Sequence, residues 1–486
     1  MKVHGKRMFQ QLSEGVFPEK SREAVPRLAV LYFVTLAFVL MTTHSSFTVG
    51  VLVITTFAFL AYLACPLAAG HRAVPSVLTL ETALPGLWLI FSISLLIRSG
   101  VSFTHMNFWF VLLKVVLAMN CICAAAYSAL VYSKREVPRL RLILLSSALV
   151  LVASCFFLTL KTSPTPFIDV FTIFSKAADL LRSGHNPYDF LYADIYGGKY
   201  TYRPRLMCWP IATYMITLSK LLAGDVRAGY ILAHLITAAG IFLLGRRWGW
   251  TLQKILLAIL VWFTFPVSLF VLGRAWVEIL IMPPLLFFLY FADQRKWIGA
   301  AVMAGLACAT KQYMIFFAIF SFLYVWRKEG WGKAFGFGGV ASLTMLSTML
   351  PFLIWNGRVF LDRTIFEILH YDIRTDSLSW IAFSINQLHV PFNSSLALIL
   401  KVALSIPALA VLFWRREVHM ADLMFTQVVV YSTVFLLGNQ AFWNYYYFLS
   451  FFLFLQIILQ IGEKRLDNTL SEVRLSTHFA SGAGGR

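Results

Sequence analysis

The sequence predicts an all-α polytopic integral membrane protein, and its composition and its long apolar runs are the observations that predict it. The 486-residue chain is 59% hydrophobic and only 13% charged, whereas soluble proteins carry about 25% charged residues. Because a membrane helix needs ~20 mostly apolar residues and loops cannot face lipid, apolar runs of this length predict membrane spans. The runs that lack Asp, Glu, Lys and Arg altogether include 142–160, 255–273, 334–357 and 423–462.

The basic excess follows from membrane topology. The formal net charge of +19 would suggest nucleic acid as the partner of a soluble chain. Here the basic residues cluster at the ends of apolar runs, as they do in cytoplasmic loops, so we expect no nucleic-acid partner. The six cysteines lie in or beside apolar runs. Their positions indicate neither a disulfide between outer loops nor a metal site.

Five predicted spans precede the first long polar loop, at 28–45, 49–70, 78–97, 107–131 and 142–160. Basic residues before Arg27, at Arg72 and at 134–141 mark the cytoplasmic ends of these spans. That parity places the loop at 161–205 outside. The basic residues after 462 agree independently, because they make the C-terminal tail cytoplasmic.

The membrane topology of the middle of the chain is harder to predict. Its candidate spans are 207–222, 228–245, 252–271, 276–292, 298–326 and 334–355. If each crosses once, the basic pairs at 246–247 and 295–296 lie outside, against the positive-inside rule. One solution is that 298–326, with Lys311 at its centre, is two short helices folded back on each other. The total is about 13 spans.

The outer loop at 161–205 contains an amphipathic segment that ends in a turn. Apolar residues repeat at helical spacing over 170–181 with charged residues opposite them, which predicts an interfacial helix. Gly184 is suited to cap its C-terminus. Asp169 lies at the N-terminus of this helix. It is either an N-cap or helix-dipole partner, or a general base at the membrane surface.

Three strings in this loop carry a resemblance to a known family. They read Phe-Ile-Asp-Val-Phe at 167–171, Gly-His-Asn-Pro-Tyr-Asp at 184–189 and Tyr-Thr-Tyr-Arg-Pro at 200–204. The loop resembles the first outer loop of GT-C glycosyltransferases, nearest the polyprenyl-phosphomannose-dependent mannosyltransferases of glycosyltransferase family 87. Weaker similarity extends over about residues 142 to 460.

The resemblance implies a GT-C-like bundle with interfacial helices in the first catalytic outer loop and the active site on the non-cytoplasmic face of the cell (inner) membrane. It implies a polyprenyl-phosphate sugar as donor, mannose favoured, a lipid or glycan acceptor, and no cofactor or metal. The catalytic Asp of the family, which deprotonates the acceptor hydroxyl, matches Asp169. Two features depart from the family: four spans precede the usual first catalytic helix, and Arg203 precedes Pro204 where Pro-Pro is more common.

The predicted organisation has a catalytic module between added spans. The segments are a basic cytoplasmic N-terminus at 1–27, additional N-terminal spans at 28–135, the GT-C-like catalytic module at 136–355, a second outer loop at 356–392, C-terminal spans at 393–462 and a cytoplasmic tail at 463–486.

Candidate residues for binding the donor phosphate or other parts of the substrate lie in several segments. The three arginines of the outer stretch at 356–377 would fork onto a phosphate, unless they only pair with neighbouring carboxylates. His370 and Arg374 are one helical turn apart in sequence, although a loop His is often a solvated bystander. The full candidate set is Tyr188, Tyr202, Arg203, Arg274, Lys311, His370 and Arg374.

Three charged residues inside apolar surroundings have alternative explanations. Arg274 and Glu278 are four residues apart, so they form either a structural ion pair or, through Arg274, a contact to the donor phosphate. Lys311 has no local carboxylate and either meets an anionic lipid phosphate or snorkels to an interface. The aromatic and amide side chains at 438–447 suit either an interfacial aromatic belt or sugar binding.

A transporter or lipid-linked-sugar flippase is the rival function. Such a protein would need ionisable residues near mid-membrane on several helices. In this sequence the charges concentrate instead in the two outer loops at 161–205 and 356–377, which favours an enzyme.

Overall fold

The computed structural model describes residues 21–42, 48–68, 80–102, 107–199, 204–369, 373–390, 394–415 and 417–461. Over these ranges the chain forms helices and no β-strand, which confirms the all-α prediction. Six of the helices are long and apolar enough to cross a membrane. The chain is therefore a multi-pass membrane protein by length and composition, and the total of about 13 spans stays a prediction.

The N-terminal helices follow the predicted apolar runs closely. They are α1 (Ser21–Thr42), α2 (Val49–Ala68), α3 (Leu80–Ser102), α4 (Phe108–Tyr132) and α5 (Pro138–Thr162). Asn107 caps α4, because its side chain accepts a hydrogen bond from the Phe110 amide (3.0 Å). Pro138 occupies the first turn of α5, where its missing N–H costs nothing.

The remaining helices build the part of the bundle that carries Asp169. They are α6 (Asp169–Arg182), α7 (Pro210–Ala223), α8 (Ala228–Arg247), α9 (Leu252–Phe263), α10 (Ser268–Gly273), α11 (Glu278–Asp293), α12 (Trp297–Cys308), α13 (Met314–Glu329), α14 (Trp331–Leu361), α15 (Trp380–Gln387), α16 (Ser394–Trp414), α17 (Met420–Leu436) and α18 (Trp443–Ile461).

The additional N-terminal spans pack into the rest of the bundle. The Tyr32 and Ser432 hydroxyls share a hydrogen bond of 2.9 Å between α1 and α17. Phe33 contacts Phe265 and Phe454, with ring centroids 5.2 and 6.4 Å apart. Helix α1 and the C-terminal helices therefore share one buried aromatic core.

One end of the bundle, which we call the basic end, carries the basic pairs at 246–247 and 295–296. Arg247, at the end of α8, forms an ion pair with Asp293 at the end of α11. Gln253, at the start of α9, donates to the Pro138 carbonyl (3.1 Å). These pairs therefore lie beside the loop at 134–141, on the side that the positive-inside rule makes cytoplasmic.

Helix α7 does not carry the chain to the basic end. Before it begins, Met207 and Cys208 share a cavity wall with Asp169. After it ends, Arg227 donates to the Ser163 carbonyl (2.7 Å) and lies over the ring of Phe171, which is two residues after Asp169, 4.9 Å from the centroid. Both ends of α7 thus lie at the opposite end of the bundle, which we call the Asp169 end. The prediction that 207–222 spans the membrane is therefore wrong.

The segment at 298–326 consists of two antiparallel helices, α12 and α13. Trp297 and Tyr324, from the far ends of the pair, have ring centroids 6.3 Å apart. Beyond them, Arg295 and Glu329 form an ion pair of 3.6 Å. The folded-back arrangement is confirmed. Together with α7, it removes the conflict between span parity and the basic pairs.

The second outer loop is more helical than predicted. Helix α14 continues to Leu361, with a non-helical residue at Asn356 (φ −158°, ψ 80°). A π-helical turn and a short α-helical turn extend this segment to Leu369. Arg374 lies beyond these turns in non-helical backbone, and its predicted relationship with His370 involves residues that the structure does not describe. His370 itself lies outside the described residues.

Impermeant thiol labelling of Ser183→Cys tests which side of the membrane holds the Asp169 end. Ser183 is exposed at the end of α6, so we expect labelling only from the non-cytoplasmic side. Exposed Ser133→Cys in the basic-end loop should label only from the cytoplasm. Cytoplasmic labelling of Ser183→Cys would reverse the topology. The wild-type chain, with its native cysteines, gives the background.

Candidate functional site

Asp169 is the first residue of α6, and its carboxylate interacts with the first turn of the helix. Ile168 is the N-cap and provides no capping side chain. The Asp169 Oδ1 instead accepts the Val170 amide at 2.8 Å, where the helix dipole favours a negative charge. The Tyr196 hydroxyl lies 3.5 Å from the same oxygen. The helix-dipole interpretation fits this geometry, and the N-cap interpretation does not.

A turn after α10 directs the next residues towards Asp169. Ala275 adopts a left-handed conformation (φ 58°), and the Trp276 amide donates to the Val271 carbonyl (3.1 Å), closing the C-terminus of α10. The Tyr230 hydroxyl donates to the Ala275 carbonyl (3.0 Å) and fixes the turn. The turn brings Trp276 and Glu278 onto the wall of the cavity that Asp169 lines.

This cavity has a volume of about 330 Å³, within the range of small-molecule sites. Its walls come from the start of α6, the loop before α7, the start of α11, the break between α12 and α13, the loop before α15, and the stretch before and into α18. Its polar and aromatic walls include Asp169, Tyr196, Arg205, Trp276, Glu278, Lys311, Arg374, Asp376, Gln440, Phe442, Trp443, Asn444 and Tyr445.

Three cations line the cavity, and each already has a carboxylate partner. Those pairs are Arg205 Nε with Glu367 (3.4 Å), Lys311 with Glu278, and Arg374 Nη2 with Asp376 (2.8 Å). The lining carboxylates are Asp169, Glu278 and Asp376, so three positive and three negative formal charges cancel. A bound anion must therefore share a cation with its partner.

Glu278 lies fully buried at the first position of α11. Its Oε1 accepts hydrogen bonds from Lys311, from the Tyr313 hydroxyl (3.2 Å) and from the Asn444 amide (2.8 Å). The Arg274–Glu278 ion pair offered as one alternative is therefore wrong, and Lys311 pairs with Glu278 instead of snorkelling to an interface. A contact between Lys311 and a lipid phosphate stays a prediction. The break between α12 and α13 is what brings Lys311 to this carboxylate.

Arg274 is not on the cavity wall. Its Nη1 donates to the Phe167 carbonyl (2.8 Å), and its guanidinium lies over the Phe270 ring, 5.2 Å from the centroid. Arg274 therefore stabilises the segment that leads into α6. This contact fixes the chain two residues before Asp169, and a role of Arg274 in binding donor phosphate stays a prediction.

Tyr188 is likewise buried beneath the cavity and does not line it. Its hydroxyl donates to the Cys208 carbonyl (2.9 Å), and its ring packs against Phe352 and Phe360. Burial raises the pKa of the Tyr188 phenol well above its usual value, so the phenol stays a hydrogen-bond donor. It supports the cavity wall at Cys208.

The remaining sequence candidates divide between the cavity and the undescribed residues. Lys311 and Arg374 line the cavity with Asp169, whereas Tyr202, Arg203 and His370 lie outside the described residues. Sequence reasoning missed Arg205, Tyr196 and the cavity position of Glu278. Arg205 directly follows the string at 200–204 in the sequence, and this proximity was the one signal that could have identified it. The stretch at 438–447 supplies cavity walls, as a substrate-binding segment would.

No protein-family model matches this chain, and no curated protein sequence matches it. The resemblance to the GT-C loop, based on the strings at 167–204, therefore stays a prediction. In the described ranges, no group of three or more His, Cys, Asp or Glu residues is arranged to hold a metal ion.

Proposed function

We propose that this chain is a membrane glycosyltransferase that moves a hexose, mannose favoured, from a polyprenyl-phosphate donor to a lipid or glycan acceptor on the non-cytoplasmic face. One observation carries the proposal: Asp169 lines the same cavity as Arg205, Arg374 and a set of aromatic and amide side chains. A carboxylate, guanidinium groups and aromatic surfaces are the groups that this transfer requires.

In the proposed reaction Asp169 is the general base. It takes the proton of the acceptor hydroxyl as that oxygen bonds to the anomeric carbon, and the bond from the anomeric carbon to the phosphate oxygen breaks. The polyprenyl phosphate leaves with the bonding electrons. Inversion at the anomeric carbon is what the GT-C resemblance implies. Tyr196, beside the Asp169 carboxylate, orients it.

Arg205 and Arg374 are the proposed phosphate contacts. Their side chains are 12% and 19% exposed, so the surroundings strengthen a charge interaction compared with bulk water. Arg374 also lies over the Phe442 ring, 5.0 Å from the centroid, which limits its movement. The donor is a phosphodiester with one negative charge. In this charge-balanced cavity, a guanidinium that it shares with a carboxylate partner is therefore sufficient to bind it.

The rival function, transport or flipping of a lipid-linked sugar, has the buried Glu278–Lys311 pair in its favour. Ionisable pairs inside a membrane protein often mark a translocation path. In this chain the pair lies at the cavity wall, where Tyr313 and Asn444 also bind the carboxylate. This arrangement fits a fixed binding surface better than a moving ion.

Incubation of the purified protein with labelled polyprenyl-phosphate mannose and a panel of lipid and glycan acceptors tests the proposal. We expect a labelled product that depends on both protein and acceptor. If the mannosyl donor fails, donors with other hexoses distinguish a different sugar from a different function. No product with any donor would refute glycosyl transfer.

Arg374→Gln should weaken use of the donor more than use of the acceptor. Loss of one hydrogen bond to a charged group removes about 1.5–3 kcal/mol, so kcat/KM for the donor should fall by about 10–100-fold. Exposed Arg358→Gln, on the same outer segment but not on the cavity wall, should change it by less than about twofold. Equal donor values for the two variants would remove Arg374 from the phosphate site.

A further inference from the structure

Among the residues that the structure describes, three buried polar atoms on the cavity wall have no hydrogen-bond partner. They are Oε2 of Glu278, Oδ1 of Asn444 and Nε2 of Gln440. Buried polar atoms are normally paired, because an unpaired one loses its bond to water and gains nothing. Other unpaired atoms in the described ranges, such as those of His234 and Gln427, belong to residues away from the cavity.

The hydrogen bonds that do form explain why these atoms are left over. All three donors to Glu278 reach Oε1, which leaves Oε2 unused. Asn444 gives its amide N–H to Oε1, so its carbonyl oxygen is directed elsewhere. These residues of the cavity wall thus carry two acceptor atoms and one donor group that no described residue satisfies.

A ligand that pairs with all three atoms must both donate and accept hydrogen bonds. A phosphate diester only accepts hydrogen bonds, so it cannot pair with the two acceptor atoms, Glu278 Oε2 and Asn444 Oδ1. Hydroxyl groups donate and accept. Because Lys311 neutralises Glu278, this surface suits an uncharged ligand. The ring of Tyr445, which also lines the cavity, provides an apolar face beside it.

We infer that Glu278, Gln440 and Asn444 form a hydroxyl-binding subsite that holds a sugar ring, and that Arg205 and Arg374 form a separate phosphate subsite in the same cavity. The inference rests on the proposed function for the identity of the ligand, and it divides the site into two parts. In this division Lys311 does not bind donor phosphate. It holds Glu278 in place for the sugar.

Gln440→Met separates sugar binding from folding. The substitution removes a donor that has no protein partner, so the apparent melting temperature should stay the same or rise. The binding probes are hexyl glycosides of mannose, glucose and galactose, which carry a sugar and no phosphate, and farnesyl phosphate, which carries a phosphate and no sugar. Binding is measured on the full chain in lipid nanodiscs.

The variant should weaken the best-bound hexyl glycoside by about tenfold, equivalent to about 1.4 kcal/mol. Its affinity for farnesyl phosphate should stay within about twofold of the wild-type value. Gln427→Met is the matched control, since Gln427 is a buried glutamine away from the cavity, and it should change neither affinity. Glu278→Gln is a poorer test, because it leaves Lys311 buried without its carboxylate.

Three results would overturn the subsite: no wild-type binding of any hexyl glycoside, an unchanged glycoside affinity in Gln440→Met, or an equal loss for glycoside and farnesyl phosphate. In the transfer assay, a raised KM for the donor identifies the bound sugar as the donor hexose, and a raised KM for the acceptor identifies it as an acceptor sugar. If glycosides bind as expected but no transfer occurs, the subsite stands and the proposed function fails.

Discussion

Replacing Asp169 with Asn should lower the transfer rate by about 10²–10⁴-fold, the usual contribution of a general base. Asn keeps the size of the side chain, and its carbonyl oxygen can still accept the Val170 amide hydrogen bond. The structural loss is limited to the charge at the start of α6, worth about 0.3–1 kcal/mol. The amide cannot take the acceptor proton, so catalysis should fail in a protein that remains folded.

Asp179→Asn is the matched control on the same helix. Its carboxylate bonds to Lys220 at 2.7 Å and is 42% exposed, so the loss of charge should cost less than about 1 kcal/mol. It does not line the cavity, and its transfer rate should stay within about twofold of wild type. Rates are compared at matched amounts of folded protein. Equal, small losses in both variants would make Asp169 a helix-dipole partner only.

Lys311→Met should cause the largest loss of stability among these variants, about 3–5 kcal/mol. The Glu278 side chain is fully buried and that of Lys311 is 14% exposed. Removal of the ammonium leaves a buried carboxylate with two neutral donors, Tyr313 and Asn444. Neutral donors do not balance its charge. The loss is measured as a fall in apparent melting temperature and in the fraction of monodisperse protein after heating.

Two further variants interpret the Lys311 result. Lys296→Met changes an exposed lysine at the basic end and should leave stability nearly unchanged. Combining Lys311→Met with Glu278→Leu removes both charges and should restore much of the stability. The double variant should still fail to bind hexyl glycosides, because it lacks Glu278. If Lys311→Met is as stable as Lys296→Met, the buried Glu278–Lys311 pair does not stabilise the contact between α11 and the break between α12 and α13.

The fold class and several local features could be predicted because they depend on short stretches of sequence. Apolar runs predict helices in lipid, and the charged centre of 298–326 indicated a break. The carboxylate of Asp169 could be placed at a helix start because the apolar repeat begins one residue later, at Val170. In each case the determining residues lie within a few turns of one another.

The cavity could not be predicted to the same depth, because its contacts join distant residues. Glu278 meets Lys311 across 33 positions and Asn444 across 166, and no local pattern pairs them. The nearer Arg274 was therefore assigned to Glu278 by sequence spacing. Helix α7 has the apolar composition of a span, and only its contacts at both ends show that it remains at the Asp169 end.

The most direct test of the central claim uses a donor with two labels, one in the hexose and one in the polyprenyl phosphate. The protein is reconstituted in sealed liposomes with an acceptor, and the two labels are followed separately. Glycosyl transfer predicts that the wild type moves the hexose label to the acceptor and releases polyprenyl phosphate, whereas Asp169→Asn leaves both labels on one molecule. If the wild type carries the intact, doubly labelled donor from one leaflet to the other without separating the labels, the protein is a flippase and the account is wrong.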